Sequence, residues 1–203
     1  MEHALICDLD GVLRIWDPEL IAEAERLYGI PSGGLAQAAF GNEARLFRAV
    51  TGAITDQQWR QEVASDVTAT HAVDGAAAVD AWSRAPGRVD QAVLDIIRRA
   101  RQRQTVALLT NATTRLSTDL ALLGLDHEID MVFNTSHLGI AKPDRQVFEH
   151  VARVLDVQPR HCVFVDDHPD NVAAARAVGM TGHRFTRSAD LARFLASRQR
   201  AAP

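Results

Sequence analysis

Two aspartates near the start of the chain, Asp8 and Asp10, are separated by a single residue. They follow residues 4–7, a short apolar run with the length and composition of a buried strand. Side chains alternate along an extended chain, so both carboxylates leave the strand on the same side. Two anions this close repel each other unless a cation neutralises them, and Mg²⁺ favours such oxygen ligands. A carboxylate in this position could also attack phosphorus and form an aspartyl-phosphate.

Taken alone, these two aspartates fit a solvated turn equally well, but further polar groups follow other short apolar runs. Residues 105–109 precede a Thr-Asn pair, and residues 162–165 precede a second acidic pair. Hydroxyl and backbone N–H groups can hold phosphate oxygens, and a second acidic cluster can complete a metal site. Thr and Asn are also common turn residues, so the first pair carries less weight than the second. The polar residues added in this way are Thr110, Asn111, Asp166, Asp167 and Asn171.

Lys142 is the only lysine among the 22 cationic residues of the chain, and the other 21 are arginines. A compact ammonium can neutralise a nucleophilic carboxylate and a phosphoryl group together, whereas a guanidinium spreads its charge over a planar fork. The alternative interpretation is an ordinary exposed loop residue before Pro143. In a chain that otherwise uses Arg everywhere, the single exception favours a functional role.

Apolar runs and helical patterns alternate along most of the chain, which predicts a doubly wound, mostly parallel α/β sheet. Ligands of such sheets bind beyond the carboxyl ends of the strands, where Asp8, Thr110 and Asp166 fall. The predicted strands are residues 4–7, 105–109, 131–133, 162–165 and 181–185. The predicted helices between them are residues 89–103, 114–123, 144–155 and 169–178.

Residues 14–86 break this alternation, because they contain no convincing strand and have the pattern of several helices. The predicted helices are residues 18–28, 34–40, 43–50, 55–65 and 73–85, separated by glycines and a proline. We therefore predict an α/β core formed by residues 1–13 and 87–203, and an inserted helical domain formed by residues 14–86.

In sequence order the polar groups form four segments, DLDGV at 8–12, LLTNA at 108–112, AKPD at 141–144 and VDDHPDN at 165–171. These segments resemble the four motifs of the haloacid dehalogenase-like superfamily of phosphohydrolases, in the same order over essentially the whole chain. The resemblance implies that Asp8 is the nucleophile, Asp10 the general acid and base, and Lys142 the lysine that neutralises charge. It also implies that Thr110 and Asn111 bind the phosphoryl group, together with Lys142.

The same resemblance implies one Mg²⁺ ion as cofactor. Its ligands would be Asp8, the carbonyl oxygen of Asp10, and Asp167. Asp166 and Asn171 would hold these ligands in position without binding the ion themselves.

The insert at residues 14–86 resembles the helical cap of the same family, which closes over the substrate and excludes water. Its candidate residues for substrate specificity are Trp16, Phe40, Arg45, Phe47, Arg48 and Trp59. The alternative for the aromatic ones is an ordinary place in the core of the insert. His168, beside the second acidic pair, is interpreted as a solvent-facing residue at the start of a helix.

The implied function is a Mg²⁺-dependent phosphatase that hydrolyses a small phosphorylated metabolite through an aspartyl-phosphate. A dehalogenase of the same superfamily is disfavoured, because Asp10 supplies the proton donor that a phosphate ester's leaving group needs. A phosphomutase uses the same residues and differs mainly in its cap, so it stays open as an alternative. A catalytically idle binding protein of the same fold is the alternative from a different class.

Composition restricts the partners of the protein. The net charge is −4, and no stretch dense in arginine is interleaved with aromatic residues, so we expect no nucleic-acid partner. No apolar run approaches the roughly 20 residues that cross a bilayer, so we expect no membrane partner. The two cysteines are too few for a disulfide framework and favour a cytoplasmic location. A small phosphorylated substrate is the expected partner, and the oligomeric state is left open.

Overall fold

The sheet at the centre of the molecule is parallel, as the alternation of strands and helices predicts. The computed structural model describes residues 3–201, with side chains for residues 3–198. Within that range the strands are β1 (Ala4–Cys7), β2 (Arg14–Ile15), β3 (Arg88–Val89), β4 (Thr105–Thr110), β5 (Met131–Asn134), β6 (Cys162–Asp166) and β7 (Thr181–Arg184). Five of these described strands form one sheet in the order β5-β4-β1-β6-β7, and each neighbouring pair is parallel. The prediction of a doubly wound α/β fold is confirmed.

β1 lies in the middle of the sheet, where its last residue, Cys7, is aligned with Leu108 of β4 and Val165 of β6. Parallel strands end at the same edge, so the residues that follow these positions meet there. Each strand predicted for the sheet is present within one residue of its predicted bounds. β4 and β6 continue one residue beyond the prediction and so include Thr110 and Asp166.

Helices cover both faces of the sheet, and β1 shows how the two faces are built. Leu5 and Cys7 pack into one apolar cluster with α6 (Gln91–Arg101), α7 (Leu116–Leu122) and α11 (Ser188–Ala201). Ala4 and Ile6 pack into a second cluster with α9 (Arg145–Val154) and α10 (Pro169–Ala177). No helix in the described part of the chain combines the length and apolar character needed to cross a membrane. The helices are α1 (Pro18–Tyr28), α2 (Gly34–Phe40), α3 (Glu43–Val50), α4 (Asp56–His71), α5 (Gly75–Ser83), α6 (Gln91–Arg101), α7 (Leu116–Leu122), α8 (Thr135–Leu138), α9 (Arg145–Val154), α10 (Pro169–Ala177) and α11 (Ser188–Ala201).

The insert is built from α1 to α5, which pack around an apolar cluster separate from the two clusters of the sheet. Leu35, Val63 and Val67 are fully buried in this cluster. Local sequence explains where these helices begin, because the side chains of Asp17 and Asp74 accept hydrogen bonds from the first turns of α1 and α5. The bounds predicted for α1, α2 and α3 agree with the structure, whereas α4 runs six residues further than predicted.

Residues 14–86 are not wholly helical. Arg14 and Ile15 form β2, which pairs antiparallel with β3. The expectation of no strand in this stretch is wrong at its first two residues. A strand of two residues is too short to show an alternating pattern, and its partner stands at the far end of the insert. The division of the chain into core and insert stays a prediction, and residues 1, 2, 202 and 203 of that division lie outside the described residues.

The insert also contacts the core away from the β2–β3 ribbon. The hydroxyl of Thr135 at the start of α8 donates to the Val50 carbonyl at 2.7 Å. On the other side, the Thr113 hydroxyl donates to Asp56 Oδ1 at 2.8 Å, and the Asp56 N–H donates to Thr114 Oγ1 at 2.9 Å. These contacts hold α3 and α4 above the edge of the sheet where Asp8 lies.

Candidate active site

The carboxyl ends of β1, β4 and β6 bring three candidate residues to one edge of the sheet. Asp8 directly follows β1, whereas Thr110 and Asp166 are the last residues of β4 and β6. The Asp8 N–H donates to the Val165 carbonyl at 2.8 Å, which extends the β1–β6 pairing to this point. All three residues are buried, with exposed fractions of 7% for Asp8, 1% for Thr110 and 0% for Asp166. Buried polar groups cost free energy unless they are paired, so their partners determine what this cluster can do.

The ammonium of Lys142 lies between two of these buried carboxylates. Its Nζ is 2.9 Å from Asp8 Oδ1 and 2.7 Å from Asp166 Oδ2. Burial works against the charge of Lys142, but the two carboxylates outweigh it and raise the pKa of the ammonium. Burial also raises the pKa of Asp8 to about 7, against the opposing influence of Lys142. Two carboxylates share one ammonium here, so a further cation near Asp8 would favour its charged form.

The side chain of Asn111 is used to hold the backbone of Lys142. Its Nδ2 donates to the Lys142 carbonyl at 2.9 Å, and the Lys142 N–H donates to Asn111 Oδ1 at 2.9 Å. This reciprocal pair ties the end of β4 to the loop that carries the lysine. Because the carboxamide is engaged, any contact of Asn111 with a phosphoryl group falls to its backbone.

Asp166 has protein donors on both carboxylate oxygens. Oδ2 accepts from Lys142 Nζ at 2.7 Å and from Asn171 Nδ2 at 3.0 Å, and Oδ1 accepts from the His168 N–H at 2.8 Å. A fully buried carboxylate with these donors orients the lysine and has little capacity left for another ligand. The imidazole of His168 itself is exposed.

Asp167 lies directly over Gly11, the last residue of the DxDG segment. A Cβ atom on Gly11 would come within 2.3 Å of Asp167 Oδ2, and Gly11 has a φ of +75°, a conformation that favours glycine. The carboxylate oxygens of Asp8, Asp166 and Asp167 lie within 4.8 Å of one another. An all-oxygen group of this kind suits Mg²⁺, and since Asp166 is occupied by donors, Asp8 and Asp167 are the carboxylates able to bind the ion. Burial and the neighbouring Asp166 raise the pKa of Asp167.

The carboxylate of Asp10 accepts hydrogen bonds from two side chains that follow it in sequence. Arg14 donates from Nε at 2.6 Å and from Nη2 at 2.8 Å, and Trp16 donates from Nε1 at 2.7 Å. Arg14 also donates to Asp119 Oδ2 at 3.0 Å, and its guanidinium lies 4.4 Å from the centre of the Trp16 ring. Burial opposes the charge of Arg14, but Asp10 and Asp119 outweigh it and raise its pKa.

A cavity of about 370 Å³ opens beside Asp10, between the insert and the core. Three of the candidate specificity residues, Trp16, Phe40 and Trp59, line this cavity. Arg45, Phe47 and Arg48 lie outside its lining. Arg45 is buried against Asp66 and the Ala38 carbonyl beside a second cavity, and Arg48 pairs with Glu62 on the surface at 3.3 Å. The helical pattern of the insert predicts α3, but it does not indicate what each face of that helix contacts.

Three further residues line the cavity beside Asp10 and were not predicted from the sequence: Arg14, Trp82 and Asp119. Arg14 could not be predicted because the β2–β3 ribbon that orients it is too short to produce a sequence pattern. Asp119 had one local signal, its position four residues after Arg115 on the same helix face, and that pair meets at 2.8 Å.

Comparison with known proteins gives one family. The family model described as haloacid dehalogenase-like hydrolase matches residues 3–179. The chain is 30% identical over 185 residues to a phosphoglycolate phosphatase of Cupriavidus necator, which covers 87% of this chain and 78% of that protein. It is 42% identical over 59 residues to a sesquiterpene phosphatase of Aspergillus oryzae. That match covers 29% of this chain and 30% of the fungal protein. The match to the fungal relative therefore spans less than a third of its length.

The fold has close counterparts among solved structures. A HAD family enzyme of Bacteroides thetaiotaomicron, solved as a magnesium complex, superposes with a TM-score of 0.74 at 19% sequence identity. The superposition covers 91% of this chain and 93% of that one. At this level of identity the likeness concerns the fold.

Proposed function

The chain belongs to the haloacid dehalogenase-like hydrolases, and from that membership we propose that it is a Mg²⁺-dependent phosphatase acting on a small phosphomonoester. One observation carries the proposal. Lys142 Nζ lies 2.9 Å from Asp8 and 2.7 Å from Asp166, at the sheet edge where ligands of such folds bind. An ammonium in this place neutralises a phosphoryl group while the neighbouring carboxylate attacks it. The phosphatases among its relatives support the same reaction class.

In the first step a carboxylate oxygen of Asp8 attacks phosphorus, and the bond from phosphorus to the ester oxygen breaks. The alcohol leaves with a proton supplied by Asp10, and the phosphoryl group stays on Asp8. In the second step water attacks phosphorus, Asp10 takes its proton, and the bond from phosphorus to Asp8 breaks to release phosphate. The hydroxyl of Thr110 and the backbone at Asn111 hold the phosphoryl oxygens in both steps.

Asp8, Asp167 and the carbonyl oxygen of Asp10 would hold the Mg²⁺ ion. When bound, the ion neutralises charge on the phosphoryl oxygens and on the carboxylates around them. The grouping of the aspartates within 4.8 Å supports this choice, and so does the magnesium complex of the structural neighbour from Bacteroides thetaiotaomicron. Asp166 and Asn171 act behind these ligands by orienting Lys142.

Asp10 serves as the general acid and base, and its surroundings control that role. Both of its oxygens accept hydrogen bonds from Arg14, and Oδ1 also accepts one from Trp16. A carboxylate has about four lone-pair positions, and these three donors leave one of them on Oδ2 for the proton that is transferred. Arg14 and Trp16 therefore position Asp10.

The small phosphorylated substrate is the only partner in this proposal, with neither nucleic acid nor membrane. We also propose a cytoplasmic location. Cys7 and Cys162 are both buried free thiols, and burial raises the pKa of Cys162 to about 11. Such thiols stay protonated near neutral pH and resist oxidation.

The test is hydrolysis of 4-nitrophenyl phosphate by the protein and by its Asp8→Asn variant, each with Mg²⁺ and with a chelator. We expect phosphate release that depends on Mg²⁺ and on Asp8, because an amide cannot attack phosphorus. Borohydride reduction of protein quenched during turnover should convert Asp8, and no other aspartate, to homoserine. The matched control is Asp126→Asn, which makes the same exchange at a half-exposed aspartate.

Activity of Asp8→Asn within tenfold of the parent, about 1.4 kcal/mol of barrier, would contradict the nucleophile assignment. Two further outcomes separate the alternatives. With a sugar phosphate as substrate, a phosphomutase transfers the phosphoryl group to a second hydroxyl of the sugar instead of to water. An idle binding protein releases no phosphate under any of these conditions.

A further inference from the structure

The cavity beside Asp10 has an aromatic wall, which we define as Phe40, Trp59 and Trp82. The centres of their rings lie 5.8 to 6.1 Å apart, so the rings contact one another in tilted and edge-on arrangements. Trp16 lines the same cavity, and with it all three tryptophans of the chain are gathered around one space. Trp59 is buried in the apolar cluster of the insert and Trp82 packs against that cluster, whereas Phe40 keeps an exposed fraction of 47%.

Apart from Asp17, which accepts a hydrogen bond from the Glu19 N–H at the start of α1, the charged groups that line the cavity bond to one another or to neighbouring side chains. Asp56 is bonded by Arg60 at 2.8 Å and by Thr113 at 2.8 Å. Asp119 is bonded by Arg14 at 3.0 Å and by Arg115 at 2.8 Å. A substrate carboxylate or hydroxyl entering this space would therefore have to displace an existing partner.

Asp10, the proposed acid and base, lines the same cavity as the wall, whereas Asp8, Thr110 and Lys142 are not part of its lining. Ala112, which follows the phosphoryl-binding segment at the end of β4, also lines the cavity. A volume of about 370 Å³ is in the usual range of roughly 300–1,000 Å³ for small-molecule sites. The part of a phosphomonoester that extends past Asp10 is its alcohol, so the aromatic wall contacts the leaving group.

We propose that the protein selects phosphomonoesters of apolar alcohols, with the aromatic wall as the binding surface for the hydrocarbon. The inference rests on the proposed phosphatase function. Burying hydrocarbon against the wall gains free energy in proportion to the area removed from water. A polyhydroxylated alcohol loses its hydration in the same place and finds polar side chains that already have partners.

The test compares 2-methylbutyl phosphate with glycerol 1-phosphate, which differ only by methyl groups in place of two hydroxyls. We expect kcat/KM at least about tenfold higher for 2-methylbutyl phosphate, given the usual value of a buried methyl group. The more acidic alcohol is the better leaving group, so the chemical step alone favours the polar ester. Equal efficiencies, or a preference for glycerol 1-phosphate, would overturn the inference.

Two variants test whether the aromatic wall causes the preference for the apolar ester. Phe40→Ser should lower kcat/KM for 2-methylbutyl phosphate by about tenfold, mainly because KM rises. The same variant should change kcat/KM for glycerol 1-phosphate by less than twofold. Phe47→Ser is the matched control, because Phe47 is a 61% exposed phenylalanine of α3 outside the cavity lining. An equal loss in both variants, or on both esters, contradicts the role of the wall.

A binding measurement separates failure of this inference from failure of the phosphatase proposal. Trp16, Trp59 and Trp82 make tryptophan fluorescence a direct reporter of the cavity. In the presence of Mg²⁺, 2-methylbutylphosphonate should bind at least tenfold more tightly than 2,3-dihydroxypropylphosphonate. If both esters release phosphate and both phosphonates bind equally, the inference fails and the phosphatase stands. If neither ester is hydrolysed but the apolar phosphonate binds more tightly, the phosphatase proposal fails and the cavity assignment stands.

Discussion

The ammonium of Lys142 is 1% exposed and lies within 3 Å of two carboxylates, so its shape matters as much as its charge. The reciprocal hydrogen bonds of Asn111 fix the backbone from which the lysine extends. Arginine is available everywhere else in this chain, and a guanidinium is larger, planar and spread over a fork. The single lysine is therefore explained by the space between Asp8 and Asp166.

We predict that Lys142→Arg lowers kcat/KM by on the order of 10² or more, comparable to removal of one preorganised electrostatic donor. The guanidinium cannot lie between both carboxylates without shifting one of them. The measurement is steady-state hydrolysis of 4-nitrophenyl phosphate, together with the melting temperature. Arg145→Lys, the reverse exchange in an exposed pair with Glu149, is the control and should change neither quantity. Near-parental activity of Lys142→Arg would remove Lys142 from the chemistry.

Gly11 is predicted to be essential for the metal site. Gly11→Ala places a Cβ atom 2.3 Å from Asp167 Oδ2, so the carboxylate has to move away. We expect the Mg²⁺ concentration for half-maximal activity to rise by about tenfold or more, the usual cost of disturbing metal-ligand placement. Gly124→Ala is the control, because Gly124 has a φ of +67° and open space around it. If both variants need the same Mg²⁺ concentration, the contact with Asp167 is not what Gly11 protects.

At the scale of elements, the loop after α3 meets the start of α8. Gly52 approaches the Ser136 carbonyl so closely that a Cβ atom would lie 2.0 Å from the oxygen. Beside it the Thr135 hydroxyl donates to the Val50 carbonyl at 2.7 Å. The insert therefore contacts the core closely at this point, with no room for a side chain at residue 52.

We predict that Gly52→Ala lifts the insert from the core. Tryptophan emission should shift to longer wavelength, and kcat/KM should fall about tenfold, since the cavity admits water. The matched control is Gly33→Ala, because Gly33 is also in the insert with a φ of +84° but has nothing within 4 Å of the added Cβ. Both variants carry the cost of about 1–2 kcal/mol for a left-handed alanine. Equal emission spectra in the two variants would show that the α3–α8 contact does not hold the insert in place.

At the scale of the whole molecule, the apolar residues form separate clusters, one on each face of the sheet and one in the insert. The sheet therefore does not depend on the insert for its own apolar packing. In the part of the chain that the structure describes, the β2–β3 ribbon and polar contacts such as that of Thr135 with Val50 connect the two parts.

Replacing residues 19–84 by a short Gly/Ser linker should leave a folded sheet with weak, unselective hydrolysis. The chemistry lies at the strand ends, whereas Phe40, Trp59 and Trp82 are removed with the insert. Circular dichroism measures the fold, and the ratio of kcat/KM for 2-methylbutyl and glycerol phosphates measures selectivity. A ratio equal to that of the full chain would show that the insert does not determine specificity.

The sequence by itself determined the sheet and the edge at which the chemistry is placed. Short apolar runs such as residues 4–7 and 162–165 are local patterns, and parallel strands deliver whatever follows them to one edge. The helices α1 to α3 were likewise predicted from local periodicity and helix-ending glycines. Asp8, Thr110 and Asp166 follow from these strand ends, whereas Lys142 is indicated by being the single lysine beside 21 arginines.

Tertiary structure decided the partners of those groups and the character of the cavity. Arg14 and Asp119 stand 105 residues apart and meet only because α7 packs beside the loop after β1. The Asn111 carboxamide forms hydrogen bonds with the Lys142 backbone. This pairing depends on the conformation of the loop that carries Lys142, and the alternation of side chains along β4 does not predict it. The aromatic wall joins α2, α4 and α5, whose relative rotation is set by packing around their shared apolar cluster. Periodicity predicts each helix face separately, but the space enclosed between helices depends on how they are packed together.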